Sequence, residues 1–252
     1  ASSAEAGGPV YTVGVLDFAS GIAPVGATVD VMWGPFTAVT PAYTGLIVDS
    51  AGTVSIPATA PAGVLSLSYH IYGATTDDAG AMYPVYWDAL PLPTPPKVGP
   101  GTSVTQSTYD ALSRSVLGSE KPNPNLSTLV AGAQDCQGRE VQGAQFVIID
   151  GATGMPVTLG NSVGSARAFY LKANLPAPDC TYTTNSARAV WSMINAPANL
   201  GTGVAAHSYT VRFMGRMTDA DTNAVVIDEH PVEAYPSSVT VLRSGRYSPG
   251  VF

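Results

Sequence analysis

Between Leu65 and Tyr72 the chain alternates. Leu65, Leu67, Tyr69 and Ile71 fall on one side of an extended backbone, and Ser66, Ser68, His70 and Tyr72 on the other. A period of two belongs to a strand with one face in a core and does not fit a helix. The same alternation recurs at residues 28–31, 208–213 and 238–241, and each run ends near Gly, Pro, Asn or Asp. Buried parallel strands would instead read as unbroken Val/Ile/Leu runs separated by helices of ten or more residues, which the chain lacks. The expected class is therefore all-β, with antiparallel, half-buried strands.

At 252 residues the chain has room for one large all-β domain or two smaller ones. Asp, Glu, Lys and Arg make up only 12% of it, which excludes long charged surface helices. The formal charge of −7 leaves no basic footprint for phosphate, so nucleic acid is excluded as an expected partner. No apolar run reaches the length of a membrane span, and no charged and then apolar leader pattern stands at the start. The chain begins at Ala1 rather than Met, as expected of a mature or trimmed product.

One helix is expected, over residues 107–117. Ser107 can cap its start, Tyr109, Leu112 and Val116 form an apolar stripe, and Gly118 suits the left-handed position after its end. Proline-rich segments flank it, residues 90–100 before and 122–124 after. The expected organisation is an N-terminal extension over 1–9, a first β-sandwich over 10–90, a Pro-rich connector with the short helix over 91–127, and a second sandwich over 128–252.

The two halves share a pattern. Val15-Leu-Asp17-Phe-Ala-Ser-Gly21 leads to Val25-Gly26-Ala27-Thr-Val29, and Ala133-Gln-Asp135-Cys-Gln-Gly138 leads to Val141-Gln-Gly143-Ala144-Gln-Phe146-Val147. Gly at a turn supplies positive φ, and Gly-Ala lets a neighbouring backbone come close. A second element, Asp49-Ser-Ala-Gly52-Thr-Val-Ser-Ile56, reads as a hairpin leading to the turn at Pro61-Ala-Gly63. Its counterpart runs from Thr184 to Pro197, with Arg188 where the hairpin Gly is expected and an insertion between Asp150 and Thr183.

These residues resemble the carboxypeptidase regulatory-like modules over most of both halves. The resemblance implies two tandem transthyretin-like Greek-key β-sandwiches, each an accessory module of a secreted or cell-surface bacterial protein. It implies no catalytic residues.

Several motifs carry candidate chemistry. Gly160-Asn-Ser162-Val-Gly164 matches a nucleophile elbow, but no helix pattern follows it, and a surface loop is expected. Asp219, Asp221 and Asn223 have the opening spacing of a calcium loop, yet Ala224 stands where that loop needs Gly; the competing reading is a polar hairpin tip between strands ending near Arg216 and starting at Ala224. His70, His207 and His230 show no metal-site spacing and are expected to face solvent from strands. Asp77, Asp78 and Asp88 read as turn composition rather than paired acids. The aromatics Tyr69, Tyr72, Tyr83, Tyr86 and Trp87 crowd one stretch, with Trp87 the first candidate for an exposed anchor to a sugar or a protein; packing in the core is the alternative.

These observations set up a non-enzymatic structural protein, secreted or on the cell surface and without cofactor or resident metal. Its partners are further copies of itself or other surface proteins, with its ends (Ala1, Pro9, Val251, Phe252) as an assembly segment. A glycan-binding module using exposed Tyr and Trp is the second reading.

Cys136 and Cys180 lie 44 positions apart without metal-ligand spacing. They are expected to form a disulfide worth roughly 4 kcal/mol in the chain-entropy picture, against the alternative of two buried free thiols. Alkylation without reductant is expected to label neither cysteine even after unfolding and to label both once the protein is reduced, as read by mass spectrometry; labelling of both without reductant would exclude the bridge.

Overall fold

The computed structural model of the chain describes residues 11–34, 41–56, 61–64, 66–75, 81–91, 98–133, 143–160, 162–172, 175–177, 190–196, 207–215 and 223–244. The first half contains β1 (Tyr11–Asp17), β2 (Thr28–Trp33), β3 (Tyr43–Ile47), β4 (Thr53–Ile56), β5 (Ser66–Tyr72), β6 (Met82–Tyr83), β7 (Val85–Pro91) and β8 (Val98–Thr105). Helix α1 (Gln106–Leu117) follows. The second half contains β9 (Ser127–Ala133), β10 (Gln145–Asp150), β11 (Arg167–Lys172), β12 (Leu175–Ala177), β13 (Val190–Ala196), β14 (His207–Gly215), β15 (Val225–Ala234) and β16 (Val239–Ser244). Among the described residues the protein is all-β apart from α1.

The strands make three sheets. A nine-stranded sheet runs β12-β11-β13-β9-β16-β7-β5-β2-β3, a four-stranded one β4-β1-β8-β6, and a three-stranded one β10-β14-β15. The apolar side of the alternation holds: Leu67, Tyr69 and Ile71 are buried and pack with Val13, Val15 and Ile56 of the four-stranded sheet in a first core, while Ser68 on the other side is buried too. A second core joins Ile148, Val211 and Phe213 of the three-stranded sheet to Leu129, Ala131 and Met193 of the large one.

Neighbouring residues of β16 and β9 reveal how these cores are arranged. Val241 packs on the first core and Leu242 on the second, and Val130 and Leu129 divide the same way. Successive side chains of a strand point to opposite faces. The four-stranded and three-stranded sheets therefore cover opposite faces of the large sheet, side by side along its width. A third cluster lies on the face opposite the second core, where α1 lays Leu117 and Val116 against Phe169, Leu171 and Ile194, with Phe18 joining from the first half.

The junction differs from the expected connector. Residues 98–105 form β8, which pairs in parallel with β1 from Thr12↔Val98 to Asp17↔Ser103. Pro100 lies within a strand that has neighbours on both sides, but β6 pairs only at Val104 and Thr105, so the start of β8 has no second ladder to lose. Gly101 passes so close to β1 that a Cβ there would stand 2.9 Å from the Tyr69 hydroxyl and 3.1 Å from the Gly14 carbonyl oxygen.

The expectation of antiparallel pairing throughout also fails at β16, which runs parallel to β7 and to β9. Parallel neighbours need long crossovers, and here those crossovers are other sheets and α1 rather than a series of helices. Residues 49–56 also differ from a simple hairpin: β3 belongs to the large sheet and β4 to the four-stranded one, so the turn at Asp49 crosses between layers. Its carboxylate accepts the Ala51 and Thr53 N–H groups and the Thr53 hydroxyl, which holds the Asp49 carboxyl below its usual range.

Helix α1 starts one residue earlier than its pattern suggests. Thr105 is the cap, its Oγ1 accepting the Thr108 N–H at 3.2 Å, because β8 runs directly into the helix; Ser107 lies in the exposed first turn. Gly118 ends the helix with a positive φ of 68°, as its glycine allows, but with ψ −122° it departs from the expected left-handed helical conformation.

The shared pattern has physical content. Gly26 and Gly143 both have positive φ, and the alanine after each, Ala27 and Ala144, is fully buried where a strand begins. The structure adds a repeat of its own. Asp17 Oδ1 accepts the Ala19 and Ser20 N–H groups, the Gly21 N–H donates to the Asp17 carbonyl, and the Asp17 N–H to Ile22. Asp150 makes the same bonds with Ala152, Thr153, Gly154 and Met155. The signature Asp-x-Ala-Ser/Thr-Gly-Ile/Met is legible at both positions, although the turn was expected at Asp135, outside the described residues.

Because β16 belongs to both cores, the halves are expected to unfold together. Leu242→Ala, deleting a side chain 3% exposed in the second core, should cost about 2–4 kcal/mol. In a Trp191→Phe background, whose remaining tryptophans Trp33 and Trp87 both pack in the first core, its urea transition should shift equally by circular dichroism and by tryptophan fluorescence. A fluorescence signal that stays put while the rest moves would show independent halves.

Candidate functional site

The five candidate aromatics divide between the faces of the large sheet. Trp87 is not an exposed anchor: it is 1% exposed, stacks on Tyr69, and donates Nε1–H to the Thr102 carbonyl at 2.8 Å. Tyr69 is fully buried beside it, and Tyr83 is buried against Tyr109 of α1 with ring centroids 3.8 Å apart. The reason is the period of two, which sends Tyr69 and Trp87 inward together and leaves Tyr72 and Tyr86 on the other face.

On that other face the rings form a row. Tyr72 stacks on His70 at 4.6 Å, His70 on Tyr86 at 4.0 Å and nearly parallel, and Tyr86 on Tyr235 at 4.4 Å. His70 and Tyr86 are cross-strand partners of β5 and β7, while Tyr235 follows β15, so the row ties the second half onto the sheet of the first. A carboxylate stands at each end. The Tyr72 hydroxyl donates to Asp30 Oδ1 at 3.2 Å, and the Tyr235 hydroxyl to Glu233 Oε2 at 2.8 Å. Beside the row, Asp88 lies buried on β7 rather than in a turn, and its carboxylate accepts the Ser68 hydroxyl at 3.2 Å.

Burial governs the protonation of the row. It pushes His70 down to about 4 against the pull of Asp30, and Tyr86 up to about 12. Tyr235 is raised by burial first and by Glu233 second. At neutral pH the row is therefore an uncharged stack held between two acids. Its inner rings have their faces covered by one another, whereas a sugar would need an open face to stack on.

The remaining candidates do not converge on this row. His207 Nε2 lies 2.8 Å from Asp150 Oδ2, and His230 Nε2 lies 2.8 Å from Asp228 Oδ2. Both histidines are thus half-buried partners of carboxylates and do not simply face solvent. Burial pushes the Asp150 carboxyl up, but His207 and the Thr153 and Ala152 N–H groups outweigh it and hold the group low.

Ser162 sits in an exposed loop whose hydroxyl meets Ser165, and β11 follows rather than a helix. That loop is pinned to α1 through Glu120, which accepts the Gly164 N–H and pairs with Arg167 at 2.9 Å, while Arg167 Nη1–H donates to the Val116 carbonyl. Arg167 so placed also offsets the negative end of the helix.

Among the described residues no three His, Cys, Asp or Glu side chains cluster as metal ligands. Asn223 is exposed just before β15, and the flanking strands, ending at Gly215 and starting at Val225, pair antiparallel, while the expected tip at 216–222 lies outside the described residues. Asp219, Asp221, Asp77, Asp78, Cys136, Cys180, Arg188 and the end residues Ala1, Pro9, Val251 and Phe252 lie outside the described residues. No described helix is long and apolar enough to cross a membrane.

No protein-family profile matches the chain, and no curated protein sequence is similar to it. Among solved structures it is similar to the shaft pilin SpaA from Lactobacillus rhamnosus GG, with 14% identity over 93% of this chain and 96% of that one at a TM-score of 0.28. It is also similar to BcpA, the major pilin subunit of Bacillus cereus, with 9% identity over 94% and 99% of the two chains at 0.27. A third likeness, to the Bacillus anthracis TIE protein, has 9% identity over 95% of this chain at 0.26, and the chain spans only 33% of that protein's length. Similarities this slight carry no inference about this chain.

The row makes stability depend on pH through His70. Its pKa is about 4 when folded against 6.5 unfolded, so the unfolded chain binds more protons between those values. Stability is full above pH 6.5 and falls as the pH drops towards 4, by about 2–3 kcal/mol for this group. His70→Phe, which keeps a ring in the stack, should lose less stability than wild type between pH 7 and pH 4.5 in urea titrations. Equal losses in the two proteins would remove His70 as the cause.

Proposed function

We propose that the chain is a non-enzymatic structural protein of the cell surface or extracellular space that associates with further copies of itself. The observation that carries this reading is the insertion of β16 between β7 and β9, which makes both halves one continuous sheet with covering layers on opposite faces. A force on either half of such a body passes through two parallel ladders. Sparse charge supports the same reading, since few ionised groups need to lose water when copies meet. A finer part of the proposal is that the halves are two fused units of the carboxypeptidase regulatory-like type, supported by the matched Gly26-Ala27 and Gly143-Ala144 strand starts.

Glycan binding through Tyr and Trp draws no support from the ring row, whose inner faces are covered, or from Trp87, which is buried. Purified protein is expected to show a mass that rises with concentration in sedimentation and light scattering. A monomer at every concentration would overturn self-association.

A further inference from the structure

Sheet edges attract other strands unless something blocks them, and three of the edges here, at β10, β3 and β12, are blocked. Beside β10, the Val157 N–H donates to the Ile148 carbonyl and the Phe146 N–H to the Tyr170 hydroxyl, so that edge is covered from within the chain. Strand β3 carries Gly45 at positive φ, tied to Asp30, where the register shifts. Strand β12 is three residues long and contains Pro176.

Edge strand β15 is blocked over only half its length. It pairs with β14 on one side, and among the described residues no strand pairs with the other. Pro231 has no N–H to offer, and the ladder alternates from it, so Glu229 also faces outward; its N–H is taken by the Asp228 carboxylate at 2.9 Å. Beyond the register shift at Ile227 the same count turns the N–H and C=O of Val226 to the free edge. There the protection stops, and Val225, Val226 and Ile227 are exposed in succession at 46%, 47% and 41%. Exposure of neighbouring residues means that both faces of this end are open to solvent, so the strand reaches past the sheet that covers the rest of it.

We infer that the free edge of β15 at Val225–Ile227 is where a second copy of this chain docks, antiparallel and centred on Val226. The proposal rests on the self-associating reading above and names its contact surface. Charge selects the occupant. Glu229 is already paired with Arg212, and Asp228 with His230, so the edge does not call for a basic strand. It calls for a short neutral apolar one, which the chain carries in Ala224-Val-Val-Ile227. Centred on Val226, the two copies exchange both backbone bonds at that residue, set Val225 opposite Ile227, and place Asp228 opposite the neutral Ala224. No two carboxylates then face each other.

Three half-exposed side chains fall well short of the roughly 800 Å² per partner of a stable interface, so the contact is weak and reversible. It is also two-fold and closes on itself, giving dimers; a fibre needs a second, different surface.

The test uses the whole chain. In sedimentation velocity over a concentration series, Val226→Lys and Val226→Pro should each raise the concentration for half-association at least tenfold. Thermal melts should stay near wild type, because the side chain and the N–H at this position both face solvent. As a second measurement, Val226→Cys protein under mild oxidation should form a dimer joined through position 226 of both copies, located by peptide mass spectrometry. Association unaffected by either substitution, with no link at 226, overturns this surface while leaving self-association standing. A wild-type chain that is monomeric throughout overturns both.

Discussion

The interaction on which the rest of this architecture depends is the double parallel ladder of β16. This six-residue strand sits between β7 of the first half and β9 of the second, and without it the nine-stranded sheet would be two separate sheets. Its alternation distributes the consequence: Val241 belongs to the first core and Leu242 to the second, so one strand seals two hydrophobic layers on opposite faces. Helix α1 reinforces the junction from one side, with Thr105 turning β8 directly into it and the Tyr109 hydroxyl meeting Thr128 of β9 at 2.8 Å.

The aromatic row on the other side follows from the same junction. Tyr86 is in register with Thr240 of β16, and Tyr235 at the end of β15 closes over that region. Where sheets cover opposite faces side by side, a stretch of large-sheet surface beside the second core belongs fully to neither layer. Here it is filled with His70 and tyrosines whose polar atoms reach Asp30 and Glu233, a compromise between burial and hydration.

Much of the local structure was legible. The strand at 66–72, the helix and its ending at Gly118, the strands β14 and β15 as an antiparallel pair and the Gly-Ala strand starts all follow from periods of two or 3.6 and from residues that tolerate special backbone angles. Local reasoning went astray where a partner distant in sequence decides the outcome. The prolines of residues 90–100 read as a stiff connector, yet the stretch from Val98 to Ser103 pairs with β1. Trp87 read as an anchor because it stands among tyrosines and beside an acid, but parity with Tyr69 carries it into the core. The turn at Asp150 is hidden in the order of the sequence because it falls at the end of β10, whereas Asp135 stands before the Gly143-Ala144 strand start in the same order as Asp17 before Gly26-Ala27.

Taken alone, the amino-acid order determined the all-β class, the inward and outward sides of individual strands, and the turns, because each depends on contacts within a few residues. Only the tertiary structure decided that β8 and β16 pair in parallel, that two cores share one sheet on opposite faces, and that the rings of Tyr72, His70, Tyr86 and Tyr235 meet. Those outcomes depend on which strand lies beside which. Pairing energy comes from backbone groups common to every residue, so strand neighbours carry almost no signature in the sequence.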